Sequence, residues 1–257
     1  MSKNNHGNSP VYKILSALLV ASVFIGFVLL SIKMIGLKLD FSTLWQYRQR
    51  LLWGFMNTIA LSAGSLALSL VLGFLSAFGQ KSRFLPLSYF CKTYVQLIRG
   101  TPLLVQIYFF YYIIGTAWGV DNRYLAGILI LSLFEGAYIS EIIRGGLESI
   151  DRRNFEIARS VGFTRVKTFR LVTLPILLSR TLPSLAGQFA SIIKDSSLLS
   201  VVAIIELTQT TQEISADNFR MFENYIFVGL LYFILTFSVS LFSKWLERRL
   251  RHEVRAA

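Results

Sequence analysis

The chain has 257 residues, 54% hydrophobic and only 16% charged, against roughly 45–50% and about 25% in soluble domains. Mean hydropathy is +0.56. This balance excludes a disordered chain, argues against a soluble globular enzyme and points to a protein that crosses a bilayer several times. Net charge is +12, from 26 Lys and Arg against 14 Asp and Glu, but the cations lie between apolar runs, as basic membrane loops do, and form no separate nucleic-acid-binding domain. Cys91 is the single cysteine, so neither an intrachain disulfide nor a cysteine zinc site is expected, and no metal site is read.

Residues 1–9 are polar and predict a disordered tail. Ile14–Ile32 carries no charge over 19 residues. That exceeds the signal-peptide core of about 7–15, so it reads as a retained span. With the Trp45 and Tyr47 segment after it, residues 10–50 form an N-terminal helix plus an interfacial stretch. Three more charge-free runs follow, Leu51–Gln80, Thr101–Val120 and Asn224–Ser243. Tyr124–Ile143 is apolar but holds Glu135 and Glu141, and Ile176–Ile205 holds Arg180, Lys194 and Asp195. Each of these runs reaches the about 20 residues a helix needs to span, and none alternates as barrel strands do. The prediction is an all-α membrane protein with six transmembrane helices, a core over 51–247 and a basic tail over 248–257.

With the N-terminus inside, nineteen of the 26 Lys and Arg fall on the cytoplasmic side, six fall outside, and Lys194 lies within the membrane. Both termini are therefore expected in the cytoplasm, with the acidic residues Glu206, Glu213, Asp217 and Glu223 outside.

The longest predicted cytoplasmic loop is 144–175. Ser149 or Asp151 is placed to cap a short helix. Phe155, Ala158 and Val161 then recur every three residues as an apolar stripe, Gly162 supplies a helix stop, Thr164 caps a second short helix, and Pro175 marks entry to the next span. Such a helix fits either a groove on a partner or the lipid headgroup layer. Gly145, Gly146 and Pro175 flank the loop as candidate hinges.

The loop's Glu156-Ile157-Ala158, three residues, Gly162, nine residues, Val172-Thr173-Leu174-Pro175 resembles the EAA loop of bacterial ABC importer permeases. Further strings resemble the polar amino acid branch: Gly54 and Thr58; Arg99-Gly100-Thr101-Pro102-Leu103-Leu104-Val105-Gln106; Ala137-Tyr138-Ile139-Ser140-Glu141-Ile142-Ile143-Arg144-Gly145; and Lys194-Asp195-Ser196-Ser197-Leu198. The resemblance runs in order over about residues 50–250. Arg153-Asn154 departs from the usual Gly-Gln, and the first span is an addition before the usual five. The resemblance implies a type I ABC importer permease fold with a cytoplasmic coupling helix, in the bacterial inner membrane. It also implies two ATP-binding cassette ATPase subunits, a second permease subunit (identical or different) and an extracytoplasmic amino-acid-binding protein. Coupling to the ATPase then falls to Phe155, Glu156, Ala158, Arg159, Gly162 and Pro175. The chain itself has no P-loop, since Gly79-Gln80-Lys81-Ser82 lacks the adjacent Gly-Lys. No catalytic residue or bound cofactor is expected, and ATP with its Mg belongs to the partner ATPase.

Charges inside a bilayer usually face a bundle interior or a water-filled path. Glu135, Lys194 and Asp195 lie deep by sequence, and Lys194 and Asp195, as helix neighbours, do not face one another. A zwitterionic amino acid would find an anion site at Lys194 and an ammonium site at Glu135 or Asp195, with Tyr138, Gln188, Ser196, Ser197, Thr101 and Gln106 hydrogen-bonding around it. Two alternatives to substrate contact remain open, a structural Glu135–Lys194 pair and Asp195 serving a helix break. Glu135 stands where the resemblance leads to an uncharged residue. At the level of function, the alternatives are an ion-coupled secondary transporter and a permease half that does not touch substrate. Glu141, Arg144 and Glu148, at i, i+3 and i+7, read as a salt-bridge stripe.

Overall fold

Within the membrane every backbone amide needs an internal partner, which restricts continuous apolar runs to helices. The computed structural model describes residues 10–36 and 38–256, so the expected tail 1–9 lies outside the described residues. Among the described residues there is no strand. Five helices are long and apolar enough to span, and six if one bent pair counts as a single span. The chain divides after Phe41 into two compact units.

The first unit is α1, Pro10–Ile35, opened by proline at a position where its missing N–H costs no bond. Its side chains are apolar all round and exposed all round, Leu19 and Phe27 among them, so lipid is the solvent it suits.

The second unit begins at Ser42. A 3-10 turn, Ser42–Trp45, buries Leu44 in a cluster with Leu51, Leu207, Ile214 and Val228. That packing places 42–50 with the bundle, whereas the sequence reading grouped it with the first helix. α2, Arg48–Gln80, lies against α5, Arg123–Glu148. α2 carries a buried line of small and polar residues spaced by three or four: Gly54 and Thr58, which meet Thr210 and Leu207, then Ser62, Ser65, Ser69, Gly73, Ser76 and Gln80. Helices in lipid associate through such close-packed seams rather than by a hydrophobic drive. At Gly73 an added Cβ would lie 2.5 Å from Ile139 Cγ2. Hydrogen bonds cross the seam, with Ser132 Oγ donating to the Ser65 carbonyl at 3.2 Å and Gln80 Nε2 donating to Ser140 Oγ at 2.9 Å. The α5 start is capped by Asn122, whose side-chain oxygen accepts from the amides of Tyr124 and Leu125.

Between them the third span differs from its predicted form. α3, Leu85–Gly100, is an amphipathic helix that the sequence reading treated as loop. It buries Ser88, Cys91, Val95 and Ile98. At Thr101–Pro102 the chain turns by 113° into α4, Leu103–Tyr108, continued as a π-helix over Phe109–Gly115. Pro102 supplies the break, because the residue before a proline leaves the helical region and Thr101 is extended.

The predicted loop 144–175 is almost wholly helical. α5 continues to Glu148, which absorbs Gly145 and Gly146. α6 covers Arg152–Ser160 and α7 covers Arg165–Thr168. A π-turn, Phe169–Thr173, joins α7 to α8, Leu174–Asp195. Pro175 therefore does not open the span but sits in the first turn of α8 within a helical path running Arg165–Val202. A proline lacks an N–H and crowds the carbonyl four residues back, and the π-turn supplies the extra residue that relieves this. A 3-10 helix, Ser196–Val202, ends α8, followed by α9, Leu207–Asn218, and α10, Met221–Ala256.

Candidate functional site

Glu135 is on α5 and fully buried. One carboxylate oxygen, Oε2, accepts from Gln188 Nε2 of α8, and the other, Oε1, is buried without a hydrogen-bond partner. The Asp195 carboxyl, at the last residue of α8, interacts directly with Glu135. The structure thus brings Glu135, Gln188 and Asp195 together from two helices. Two carboxyl groups, one with a bare oxygen and an amide alongside, form an arrangement suited to a cation bearing N–H donors. Lys194 faces away and is exposed. Among the described residues it pairs with no carboxylate, so the Glu135–Lys194 pair is absent. The remaining sequence alternative, Asp195 serving a helix break, has its position but no backbone hydrogen bond among those described.

The other candidate ligands are distributed around this group. Tyr138 lies one turn along α5 from Glu135, half-buried, its ring tilted against Phe134 at 5.1 Å between centres, with the Arg99 guanidinium 5.3 Å from its own ring centre. Ser196 Oγ donates to the Ile193 carbonyl at 2.8 Å, and Ser197 Oγ donates to the Lys194 carbonyl at 2.5 Å. Thr101 and Gln106 stitch the α3–α4 bend instead. Gln106 Nε2 donates to the carbonyls of Ile98 and Thr101 and to Thr101 Oγ1, at 2.6, 3.1 and 2.7 Å. Among the described residues neither is bonded to Glu135, Asp195 or Gln188. An extended Thr101 leaves helix carbonyls without amide partners, and Gln106 fills that role.

The coupling segment is built from its caps. Asp151 Oδ1 accepts from the Arg153 amide at 3.0 Å and starts α6. Gly162 ends it with φ +79, a left-handed turn that glycine adopts without strain. The amides of Gly162 and Phe163 then close onto the carbonyls of Arg159 and Ala158 at 2.9 Å. Thr164 Oγ1 accepts from Lys167 and starts α7. The predicted stripe does not face one way. Ala158 is buried, Phe155 half-buried and Val161 exposed, because α6 rests its Ala158 side on the protein. The outward side presents Arg152, Arg153, Glu156, Ile157 and Arg159, all exposed. Gly146 is not a hinge, since a Cβ there would lie 2.3 Å from Thr181 Cγ2 and the glycine exists to let α5 approach α8.

Comparison with known proteins decides the class. Residues 69–252 match the family model described as binding-protein-dependent transport system inner membrane component. This chain belongs to that family. The transport component is similar to the glutamine transport system permease protein GlnP of Escherichia coli K12, 35% identical over 218 residues that span 84% of this chain and 99% of that protein. It is also similar to the L-cystine transport system permease protein TcyB of Bacillus subtilis, 34% identical over 212 residues, 80% of this chain and 91% of that protein. Among solved structures, the crystal structure of an amino acid ABC transporter with histidines superposes with a TM-score of 0.76 at 30% identity, over 83% of this chain and all of that one. A MetNI methionine ABC transporter at 17% identity, TM-score 0.67, shares the fold. The all-helical ABC importer permease fold and inner-membrane location expected from the motifs are thereby borne out, and so is a transport subunit rather than an enzyme.

Two groups in this inner membrane component escaped the sequence reading. The sequence places Glu206 in the acidic run on the outer side and gives no sign of its burial. It is fully buried, where it caps α9 by accepting from the amides of Thr208 and Gln209 at 2.8 and 2.7 Å, and accepts from Tyr232 of α10 at 2.6 Å. Burial pushes its carboxyl up to about 7. The Glu-x-x-Gln string at the start of α9, with a side chain at the N-cap able to accept helix amides, was the available signal. Glu223 is likewise buried, while Glu213 and Asp217 pair with Arg50 at 3.0 and 2.6 Å. The second group is Arg99. The predicted stripe holds, Arg144 meeting Glu141 at 2.9 Å and Glu148 at 2.6 Å, but Arg99 joins it at 3.3 Å from Glu141.

Proposed function

We propose that this chain is the permease subunit of an ATP-driven importer for a polar amino acid, with both termini cytoplasmic and a path running past Glu135, Gln188 and Asp195. The relatives for glutamine and cystine, and the 29% identical glutamate/aspartate import permease GltK, support the substrate class. Glu135 carries the reading, because a fully buried carboxyl set against the Asp195 carboxyl and the Gln188 amide gathers acceptors that a substrate ammonium would engage. Two ATPase subunits, each binding ATP and Mg, take the outward side of α6, with Ile157 as the apolar contact and Glu156, Arg152 and Arg159 as charged ones. Phe155 and Ala158 seat α6 on its own subunit, Gly162 sets its exit angle and Pro175 the helix it drives. A second permease half completes the path, and an extracytoplasmic binding protein delivers the solute.

Reconstitution of the chain with its ATPase and binding protein tests this. Uptake of radiolabelled amino acid is expected only with ATP and only with the binding protein present. Gly162→Val, which puts a β-branched residue at φ +79 at a cost of about 1–2 kcal/mol, is expected to leave ATPase activity running while uptake falls. Ion-driven uptake by the chain alone would instead favour a secondary transporter.

A further inference from the structure

The ends of α2 and α5 and one flank of α3 enclose a second polar feature, a cavity of about 750 Å³. Four cations line it, Lys81, Lys92, Arg99 and Arg144, against two carboxylates, Glu141 and Glu148. The pairing is uneven. Arg144 engages both carboxylates, with Nε and Nη2 each 2.9 Å from Glu141 and Nη1 2.6 Å from Glu148. Arg99 adds one nitrogen at 3.3 Å from Glu141, and Lys81 stands 3.8 Å from Glu148. No described carboxylate pairs with Lys92, whose ammonium lies 6.0 Å from the Tyr89 ring centre. Lys92, Gln96 and Arg99 stand at i, i+4 and i+7 on α3 and so share one face.

The cavity therefore holds more donors than its own acids satisfy. An amino acid would bring an ammonium group needing a free carboxylate, and Arg144 already occupies both. A simple oxyanion needs donors alone. We propose that this cavity binds a phosphate oxyanion through Lys81, Lys92 and Arg99, supplied either by the headgroup of an anionic phospholipid or by a soluble phosphate monoester. Charge-assisted N–H to phosphate oxygen bonds are the strong class of hydrogen bond, and basic pockets between membrane helices on the cytoplasmic side hold lipid phosphates. Bound there, the anion bridges α2 and α3 beside the salt-bridge stripe of α5. The cytoplasmic setting rests on the orientation proposed above, while the donor geometry does not.

The full-length chain, purified in mild detergent, is to be titrated with short-chain phosphatidylglycerol and with glycerol 3-phosphate under native mass spectrometry. At least one probe is expected to bind, and Lys81→Gln/Lys92→Gln is expected to weaken it by about tenfold or more, the loss of one or two charged hydrogen bonds. Lipid retained against excess glycerol 3-phosphate assigns the headgroup, and lipid displaced by it assigns the soluble ester. Binding of neither probe, or equal binding by the variant, overturns the site. Lys92→Gln alone, at an exposed side chain, serves if the double variant misfolds. Orientation is read separately, by labelling Gln96→Cys with an impermeant maleimide in vesicles of known sidedness. Labelling from the outer face refutes the orientation and leaves the anion site standing.

Discussion

At the proposed substrate path, the residue whose role is most directly testable is Glu135. Its Oε2 accepts from Gln188 and the Asp195 carboxyl stands against it, so under the proposed function a ligand bearing N–H donors would engage both carboxyl groups. Glu135→Gln keeps the volume and removes the charge. Uptake of basic amino acids by the variant is expected to fall by about tenfold or more relative to neutral ones. Competition assays with neutral, acidic and basic amino acids measure it, and an unchanged order of preference removes Glu135 from recognition. Glu206 gives a pH prediction. Its folded value of about 7 lies above the ordinary carboxylate value near 4.3. The stability it contributes is therefore complete at acid pH and is lost as pH rises through about 7. The melting temperature is expected to decline as pH rises from about 4.3 to about 7 and to level off above, and Glu206→Gln, whose single side-chain oxygen keeps one of the two amide bonds, is expected to flatten that decline.

Among the elements, the α2–α5 seam determines whether the bundle forms. Gly73→Val drives a branched side chain against Ile139, where even a Cβ would stand at 2.5 Å. Overpacking of this kind costs typically about 1–3 kcal/mol, so earlier thermal unfolding in detergent is expected, while a native melting temperature would mean that the helices part more readily than their contacts suggest. Spans were legible from the sequence because charge-free runs of membrane length have few other uses. The caps at Asp151, Thr164 and Gly162 were legible because each performs a local task with its own backbone. The α3 helix was not, since its Lys92 and Arg99 lower the average hydropathy of a segment whose buried line, Ser88, Cys91, Val95 and Ile98, is polar and small at one end. Nor was the partnership of Glu135 with Asp195, 60 positions apart, because nothing local in either segment encodes it. The proline of the coupling segment misled for a related reason, since proline signals a helix boundary only when no π-turn relieves it.

For the whole molecule, the division after Phe41 has consequences for assembly. Residues 42–257 carry the described buried clusters, from Leu44 through Val228, and the family match lies entirely within them. A chain starting at Ser42 is expected to insert, associate with the ATPase and sustain uptake. Loss of transport by correctly inserted truncated protein, read by fluorescence-detected gel filtration beside the uptake assay, would assign α1 a working part. The strongly basic balance of the chain is likewise a whole-molecule property, and the proposed orientation, with nineteen cations cytoplasmic and six outside, is tested by topology mapping with impermeant reagents.

The unbroken helical path from Arg165 to Val202 makes the molecule a lever. Gln188 stands 23 residues beyond Arg165, about 35 Å along the axis at 1.5 Å per residue, and that distance contains a π-turn and Pro183 but no loop. Under the proposed function, a displacement passed from α6 across the turn at 161–164 would reach Gln188, the amide partner of Glu135, along this helical path. On that reading, gripping and releasing the cargo would be the far stroke of the same rod.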